Sequence, residues 1–243
     1  MPEAMRVHRA LAQAGLGSRR AAERLVAEGR VTVNGEVARV GQQVTSADRI
    51  EVDGEPAGVE PLRALLLNKA PGVVTTASDP QGRPTVLDGL PGDIRLYPVG
   101  RLDRDTTGAL VVTNDGEMAH RLMHPSFSVP KVYEALLSGR VSAETVRRLR
   151  EGVELEDGLT APAGVERMER AAPGGTWLRL ELTEGRNRQI RRMGRAVGHP
   201  VLRLHRALYC GVGVADLAPG EHRPLRAEEW SRMRRVVGLR EAA

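Results

Sequence analysis

The sequence predicts an α+β protein of two domains, and three observations carry that reading. The first sixty residues run helix, helix, strand, turn, strand. A stretch rich in glycine and proline, Gly54 to Pro61, then carries no apolar period and marks a boundary. Beyond it, short strand patterns alternate with a few amphipathic helices up to the end of the chain. The expected domains are residues 1–60 and 61–243, and 243 residues suffice for one or two domains with proper cores.

In the first domain, Met5–Ala14 and Ser18–Glu28 read as helices. Val7, Leu11 and Ala14 form an apolar stripe, Gly15-Leu16-Gly17 breaks the pair, and Ser18 can cap the second helix. Val31–Val33, the turn Asn34-Gly35 and Glu36-Val37 read as a hairpin, with Ile50–Val52 a further strand. Residues 1–30 hold six arginines against three glutamates.

In the second domain, Arg63–Asn68 is a strand whose apolar run, Ala64–Leu67, predicts burial on both faces. Lys69-Ala70-Pro71-Gly72 turns it into a second strand, Val73–Thr76. A polar loop, Ser78–Pro84, follows, and Thr85–Leu90 reads as one helical turn. Ala109–Val112 is a strand closed by Asn114-Asp115-Gly116, with Asp115 expected to cap the helix Glu117–Met123. Lys131–Leu137 is a strand with Lys131 and Tyr133 on one face. Thr145–Glu151 reads as helix, Val153–Gly158 as strand and turn, and Trp177–Thr183 as a strand with Leu178, Leu180 and Leu182 inward. A helix opens in Glu184–Met193 and extends to Val197; Ile190, Met193 and Val197 face the core and Arg188, Arg191, Arg192 and Arg195 lie opposite. Val201–Val214 reads as one long strand and Ala227–Val237 as a closing helix.

The chemistry concentrates in Tyr97–Gly116. If residues 101–103 are extended, Arg101 and Asp103 share one side and Leu102 anchors them from behind. Asp103 and Asp105 could equally be turn formers or magnesium ligands. The net charge is +5, and of 36 basic residues only Lys69 and Lys131 are lysine. Such a balance points to a polyanionic partner, although arginine bias can also follow genome composition. From Arg186 to Arg206 there are seven arginines and no acidic residue. That density repels itself unless an anion joins it, be it RNA phosphate or a carboxylate such as Asp103, whereas a solvated charged face normally mixes both signs.

One cysteine, Cys210, excludes a disulfide framework and a cysteine zinc site, and reads as a small core residue. The six histidines show no metal-ligand spacing. No apolar run resembles a signal peptide or approaches membrane-spanning length, so a cytoplasmic setting is expected.

The first sixty residues resemble the small RNA-binding module named after ribosomal protein S-four, the alpha-L motif. The residues that carry the likeness are Arg6–Leu11, Gly17–Ala21 and Gly29–Gly35. That resemblance implies that Arg9, Arg19, Arg20 and Arg30 face RNA phosphates; the alternative is that Arg19, Arg20 and Arg24 form the solvated face of a helix. Further on, N-K-A-P-G at 68–72, G-R-L-D-R-D-T-T-G at 100–108, K-V-Y at 131–133 and E-G-R-N-R-Q-I-R-R-M at 184–193 stand in one order. Together they resemble the RsuA/RluB branch of the pseudouridine synthases over nearly the whole chain. Residues 79–86 and 152–158 are most similar to the RluB type, which modifies a uridine in large-subunit (23S) ribosomal RNA. Ala70 departs from the pattern, which has proline directly after the lysine.

The resemblance implies a large mixed, mostly antiparallel sheet flanked by helices. It implies isomerisation of uridine to pseudouridine in ribosomal RNA or a pre-ribosomal particle, by a monomer, with no cofactor or metal because no redox step occurs. Asp103 would be the catalytic carboxylate, attacking the anomeric carbon or the uracil ring, or taking a sugar proton. Arg191 would pair with Asp103 and keep it ionised. Tyr133 would stack on the target base, and Arg101 would fill the gap left by the everted uridine or help push it out. Lys69, Lys131, Arg186, Arg188 and Arg192 would contact the RNA. The alternatives are the same chemistry on 16S or transfer RNA, and a non-catalytic RNA-binding or assembly protein.

Overall fold

Type I′ turns, which need two successive residues at positive φ, shape the N-terminal unit. A computed structural model of the chain describes residues 4–58 and 60–239. It divides into two compact units, one of residues 1–63 with 91–95 and 114–116, the other of the remainder. The first unit opens with β1 (Met5–Arg6), α1 (Val7–Gln13) and α2 (Arg19–Ala27). Helix α1 starts two residues later than expected because Met5 and Arg6 pair with β4 (Gln43–Val44). Ser18 caps α2, its Oγ accepting from Ala21 N at 3.1 Å. Strands β2 (Val31–Val33) and β3 (Glu36–Val37) flank Asn34 (φ 55°) and Gly35 (φ 87°). Strand β5 (Ile50–Val52) pairs with β2 and, across a second turn at Asp53 (φ 51°) and Gly54 (φ 85°), with β6 (Glu55–Pro56). The stretch read as a linker therefore begins as a fourth strand. Val7, Leu11, Ala22, Val26, Val31 and Val44 form this unit's core.

In the second unit the strands are β7 (Ala64–Lys69), β8 (Tyr97–Pro98), β9 (Thr107–Thr113), β10 (Lys131–Ser138), β11 (Glu154–Leu155), β12 (Gly158–Leu159), β13 (Gly164–Arg167), β14 (Gly175–Leu182), β15 (Val201–Tyr209), β16 (Val212–Gly213) and β17 (His222–Pro224). The helices are α3 (Gly116–Met123), α4 (Ala143–Glu151), α5 (Gln189–Ala196) and α6 (Ala227–Val236). Nine strands form one sheet in the order β13-β14-β10-β15-β9-β7-β17, with β16 on β15 and β8 on β9. Every pairing is antiparallel except β9 with β15. The expected mixed, mostly antiparallel sheet is thus present.

As predicted, β7 is buried on both faces. Leu66 packs with Ala109, Val111, Met118 and Met233, while Leu67 packs with Val86, Leu102 and Leu110. Helices α4 and α5 cover the other end of the sheet through Leu149, Ile190 and Met193 against Leu178 and Leu180. Two expected strands differ. Val73–Thr76 makes only a single parallel bridge, Val74 with Thr85. The run Val201–Val214 breaks into β15 and β16 around Cys210 (φ 52°) and Gly211 (φ 73°), a turn hidden in the sequence because cysteine stands where asparagine is usual. Cys210 itself lies in the core.

Candidate active site

Asp103 is held by the loop that enters β9. Gly100 turns the chain out of β8 at φ +76°. Leu102 is buried among Leu67, Val86 and Leu110, so residues 101–103 are anchored from behind as expected. Thr75 Oγ1 donates to Leu102 O at 2.8 Å and lies 3.3 Å from Leu102 N. Thr106 N donates to Asp103 O at 3.0 Å and closes the turn.

Lys69 supports this loop from inside. It is fully buried, and its Nζ donates to the carbonyls of Ala70, Arg104 and Thr106 at 3.0, 3.1 and 2.9 Å. All three ammonium hydrogens are spent, so the expectation that Lys69 contacts phosphate is corrected: it gathers carbonyls under Asp103. Burial pushes its pKa down to about 8, against the pull of Asp105 and Asp103. Between about 8 and 10.5 the unfolded chain keeps a proton that the folded one has lost, so this group makes stability rise with pH in that window. The stability difference between the native protein and Lys69→Met should therefore grow across it by up to about 3 kcal/mol, measured by urea unfolding at stepped pH. A flat difference would show that Lys69 is not the titrating group.

Gly108 allows the one parallel seam. At φ +104° it pairs with Arg206, and a Cβ there would lie 2.3 Å from Arg206 O. The glycine thus lets β15 close on β9 directly behind the Asp103 loop.

Two arginines converge on one oxygen of Asp103. Arg188 Nη1 donates to Oδ2 at 3.1 Å, and Arg191 Nε lies 3.7 Å from the same atom. Among the described residues no donor reaches Oδ1. Arg191 is nearly buried, and its other nitrogens reach Asp105 Oδ2 (2.8 Å), Thr106 Oγ1 (3.4 Å) and Val201 O (3.3 Å). The partner expected for Asp103 is therefore near it but bound more tightly to Asp105. The shorter contact comes from Arg188, expected on phosphate. Arg188 sits in the left-handed region (φ 48°) at the N-cap of α5, which swings its half-exposed side chain towards Asp103. With Asp103 and Asp105 both on guanidinium groups, a magnesium role for the pair does not fit the geometry.

Asp103, Tyr133, Arg101 and Arg188 line one cavity of about 410 Å³, within the ~300–1,000 Å³ range of ligand pockets. Tyr133 is half-buried on β10, against the cluster of Leu102. Lys131 lines the same cavity, its Nζ 3.3 Å from Thr183 O, and Arg101 is exposed at the rim.

The chain can now be set beside known proteins. The family profile described as RNA pseudouridylate synthase matches residues 63–196, and the S4 domain profile matches residues 5–50. The chain belongs to the RNA pseudouridylate synthase family. As a pseudouridine synthase it is an isomerase that converts uridine in RNA to pseudouridine, and its N-terminal S4 domain is an RNA-binding module. The chain is 42% identical over 237 residues to the ribosomal large subunit pseudouridine synthase B of Bacillus subtilis, covering 96% of each chain. It is 42% identical over 241 residues to an RNA pseudouridine synthase of Aquifex aeolicus, covering 97% of this chain and 96% of that one. A crystal structure of a pseudouridylate synthase superposes with a TM-score of 0.69 at 29% identity, covering 94% of this chain and 99% of that chain.

Several arginines expected on RNA in this pseudouridine synthase are committed within the protein. Arg186 donates to Leu159 O (2.6 Å), Gly158 O (2.8 Å) and Glu184 (3.2 Å). Arg192 holds both oxygens of Asp157 at 2.8 and 2.9 Å. Arg192 pins the β11–β12 hairpin to α5 and Arg186 pins it to the loop leading into that helix, which corrects their reading as phosphate contacts. Asp157, 29 and 35 residues away, is the anion the sequence left open for them. Arg30 pairs with Asp53 on the surface. Arg19 and Arg20 are exposed on α2, and Arg9 is half-buried on α1. Thr75, Asp157 and Arg206 were missed: nothing local marks them, whereas a glycine within a strand pattern could have flagged Gly108.

Proposed function

We propose that the enzyme isomerises one uridine of large-subunit (23S) ribosomal RNA, with Asp103 as the catalytic carboxylate. The observation that carries this is the meeting of Asp103, Tyr133 and Arg101 around one cavity, with Arg191 behind the carboxylate. The everted base stacks on Tyr133, and Arg101 occupies the place it leaves. Arg188 and Arg191 hold Oδ2 and leave Oδ1 to act on the sugar or the ring. Each route open to Asp103 needs an ionised carboxylate fixed beside the base, which this loop supplies.

The large-subunit target rests on the relatives named for it in Bacillus subtilis and Pseudomonas aeruginosa, each 42% identical. Among the described residues no helix is long and apolar enough to cross a membrane. We place the domain boundary near residue 60, between the two matched profiles. Mapping pseudouridines in ribosomal RNA from a strain lacking the gene tests the target. Loss of one 23S site supports it; loss of a 16S or transfer RNA site instead overturns the target and leaves the chemistry.

The salt dependence of RNA binding should follow the arginines that stay free. Replacing the exposed Arg19 and Arg20 together with alanine should flatten the slope of log K against log salt by roughly 1.5, for two phosphates. Arg192→Ala should leave that slope within about 0.5 and instead lower folding stability by about 1 kcal/mol. Titrations at several salt concentrations read both; a full unit of slope lost with Arg192 would return it to the RNA surface.

A further inference from the structure

Arg206 is 3% exposed and brings a positive charge into the protein with no carboxylate at ion-pair distance among the described residues. Its Nε donates to Ala109 O at 2.6 Å, and its guanidinium lies over the Tyr209 ring, 4.7 Å from the centroid. Its Nη2 is buried and finds no partner among the described residues. An unpaired buried charge is costly to folding, so its retention points to a use. Arg206 is the cross-strand partner of Tyr133, and both line the Asp103 cavity. Lys131, two residues before Tyr133, lines it too. Burial and the charge of Arg206 hold Lys131 below the usual lysine range. The nearby acid Glu184 is occupied by Gln189 and Arg186. Two cations therefore face one cavity without an anion of their own.

The group that meets them must come from the substrate. Phosphates of the backbone stay at the protein surface, whereas an everted base is the part of the RNA that goes deepest. We propose that Arg206 and Lys131 bind the carbonyl oxygens of the everted uracil and stabilise the negative charge the ring acquires during the exchange. This rests on the pseudouridine synthase reading with the uridine stacked on Tyr133. In the exchange the N1–C1′ bond breaks and its electron pair stays on the ring, delocalised onto the carbonyl oxygens. C5 then bonds to C1′, the C5 proton leaves and N1 takes up a proton, so the product is an isomer of the substrate. If Asp103 adds to C6 of the ring first, the charge falls on the C4 carbonyl oxygen, one of the same two, so a role at that oxygen is common to both routes. Fixed cations in a dry site act most strongly where charge develops.

The test uses the full-length enzyme in excess over an RNA substrate carrying uridine or 5-fluorouridine at the target. Fluorine withdraws electrons and makes the ring a more stable anion. Lys131→Gln and Arg206→Gln are compared with the native enzyme for RNA affinity and for the saturated rate at which the N-glycosidic linkage is lost. The expected result is a rate loss of roughly 10- to 100-fold on uridine, an RNA affinity within about threefold, and a deficit on 5-fluorouridine several-fold smaller. Equal deficits on the two bases would overturn the proposal, as would lost affinity with an unchanged saturated rate, the mark of a phosphate contact. Should Arg206→Gln not fold, Lys131→Gln alone carries the comparison, because its ammonium makes only one long bond to the protein. The native enzyme's conversion of uridine in the same assay keeps the parent reading separate from this one.

Discussion

Asp103→Asn should abolish isomerisation, by at least about a thousandfold, while RNA affinity stays within a few-fold. Asparagine keeps the volume and the loop but removes the charge that every route to pseudouridine needs. Binding should persist because Asp103 is an anion, and an anion attracts no phosphate. Folding should also persist. The carboxylate is partly exposed and its ion pairs are of the kind that contribute about 1 kcal/mol or less. Single-turnover conversion, read by chemical mapping of the product, and a binding titration on the same RNA measure the two quantities. An Asp103→Asn protein that still makes pseudouridine at a comparable rate would remove this residue from the mechanism.

The largest effect on stability is expected at Gly108. Alanine there must hold φ +104° and must place its Cβ 2.3 Å from Arg206 O and 2.8 Å from Arg206 N. The clash is with backbone, and β15 cannot retreat because its other edge is paired with β10. A loss of more than about 3 kcal/mol should follow, or failure to fold. Gly72→Ala is the control. It too holds positive φ (+85°), but a Cβ there meets nothing within 4 Å. Backbone strain alone should cost it about 1–2 kcal/mol. If urea unfolding gave the two variants equal losses, close approach of β9 and β15 would not be what the glycine provides.

Much of the fold was legible because strand and helix patterns are properties of neighbouring residues. The unbroken apolar run Ala64–Leu67 announced a strand buried on both faces, and Ile190 and Met193 announced the inner face of α5. Short edge strands such as β13 and β17 were not legible, since three or four residues carry no period that separates them from a loop. The turn at Cys210 and Gly211 was missed because its φ values come from the hairpin it closes and not from a usual turn pair.

The site divides along the same line. That Arg101 and Asp103 share a side, and that Tyr133 and Lys131 share a face of one strand, followed from alternation; that Asp103 and Tyr133 belong to one site followed only from the family resemblance. The partners of the arginines could not be placed from spacing. Charge density between Arg186 and Arg206 called for an anion, and the described residues provide four: Asp103, Asp105, Asp157 and Glu184.

By itself the sequence determined where strands and helices form, and that a carboxylate stands beside an arginine on a short extended loop, because backbone preference and side-chain alternation act between residues a few positions apart. Only the tertiary structure decided that Lys69 turns inward, that Arg188 rather than Arg191 makes the shorter bond to Asp103, and that Arg206 is buried with no carboxylate at ion-pair distance among the described residues. The physical reason is distance along the chain. The Asp103–Arg188 contact spans 85 residues and the Lys69–Thr106 contact 37, and such meetings depend on sheet order and closest approach, which no local pattern encodes.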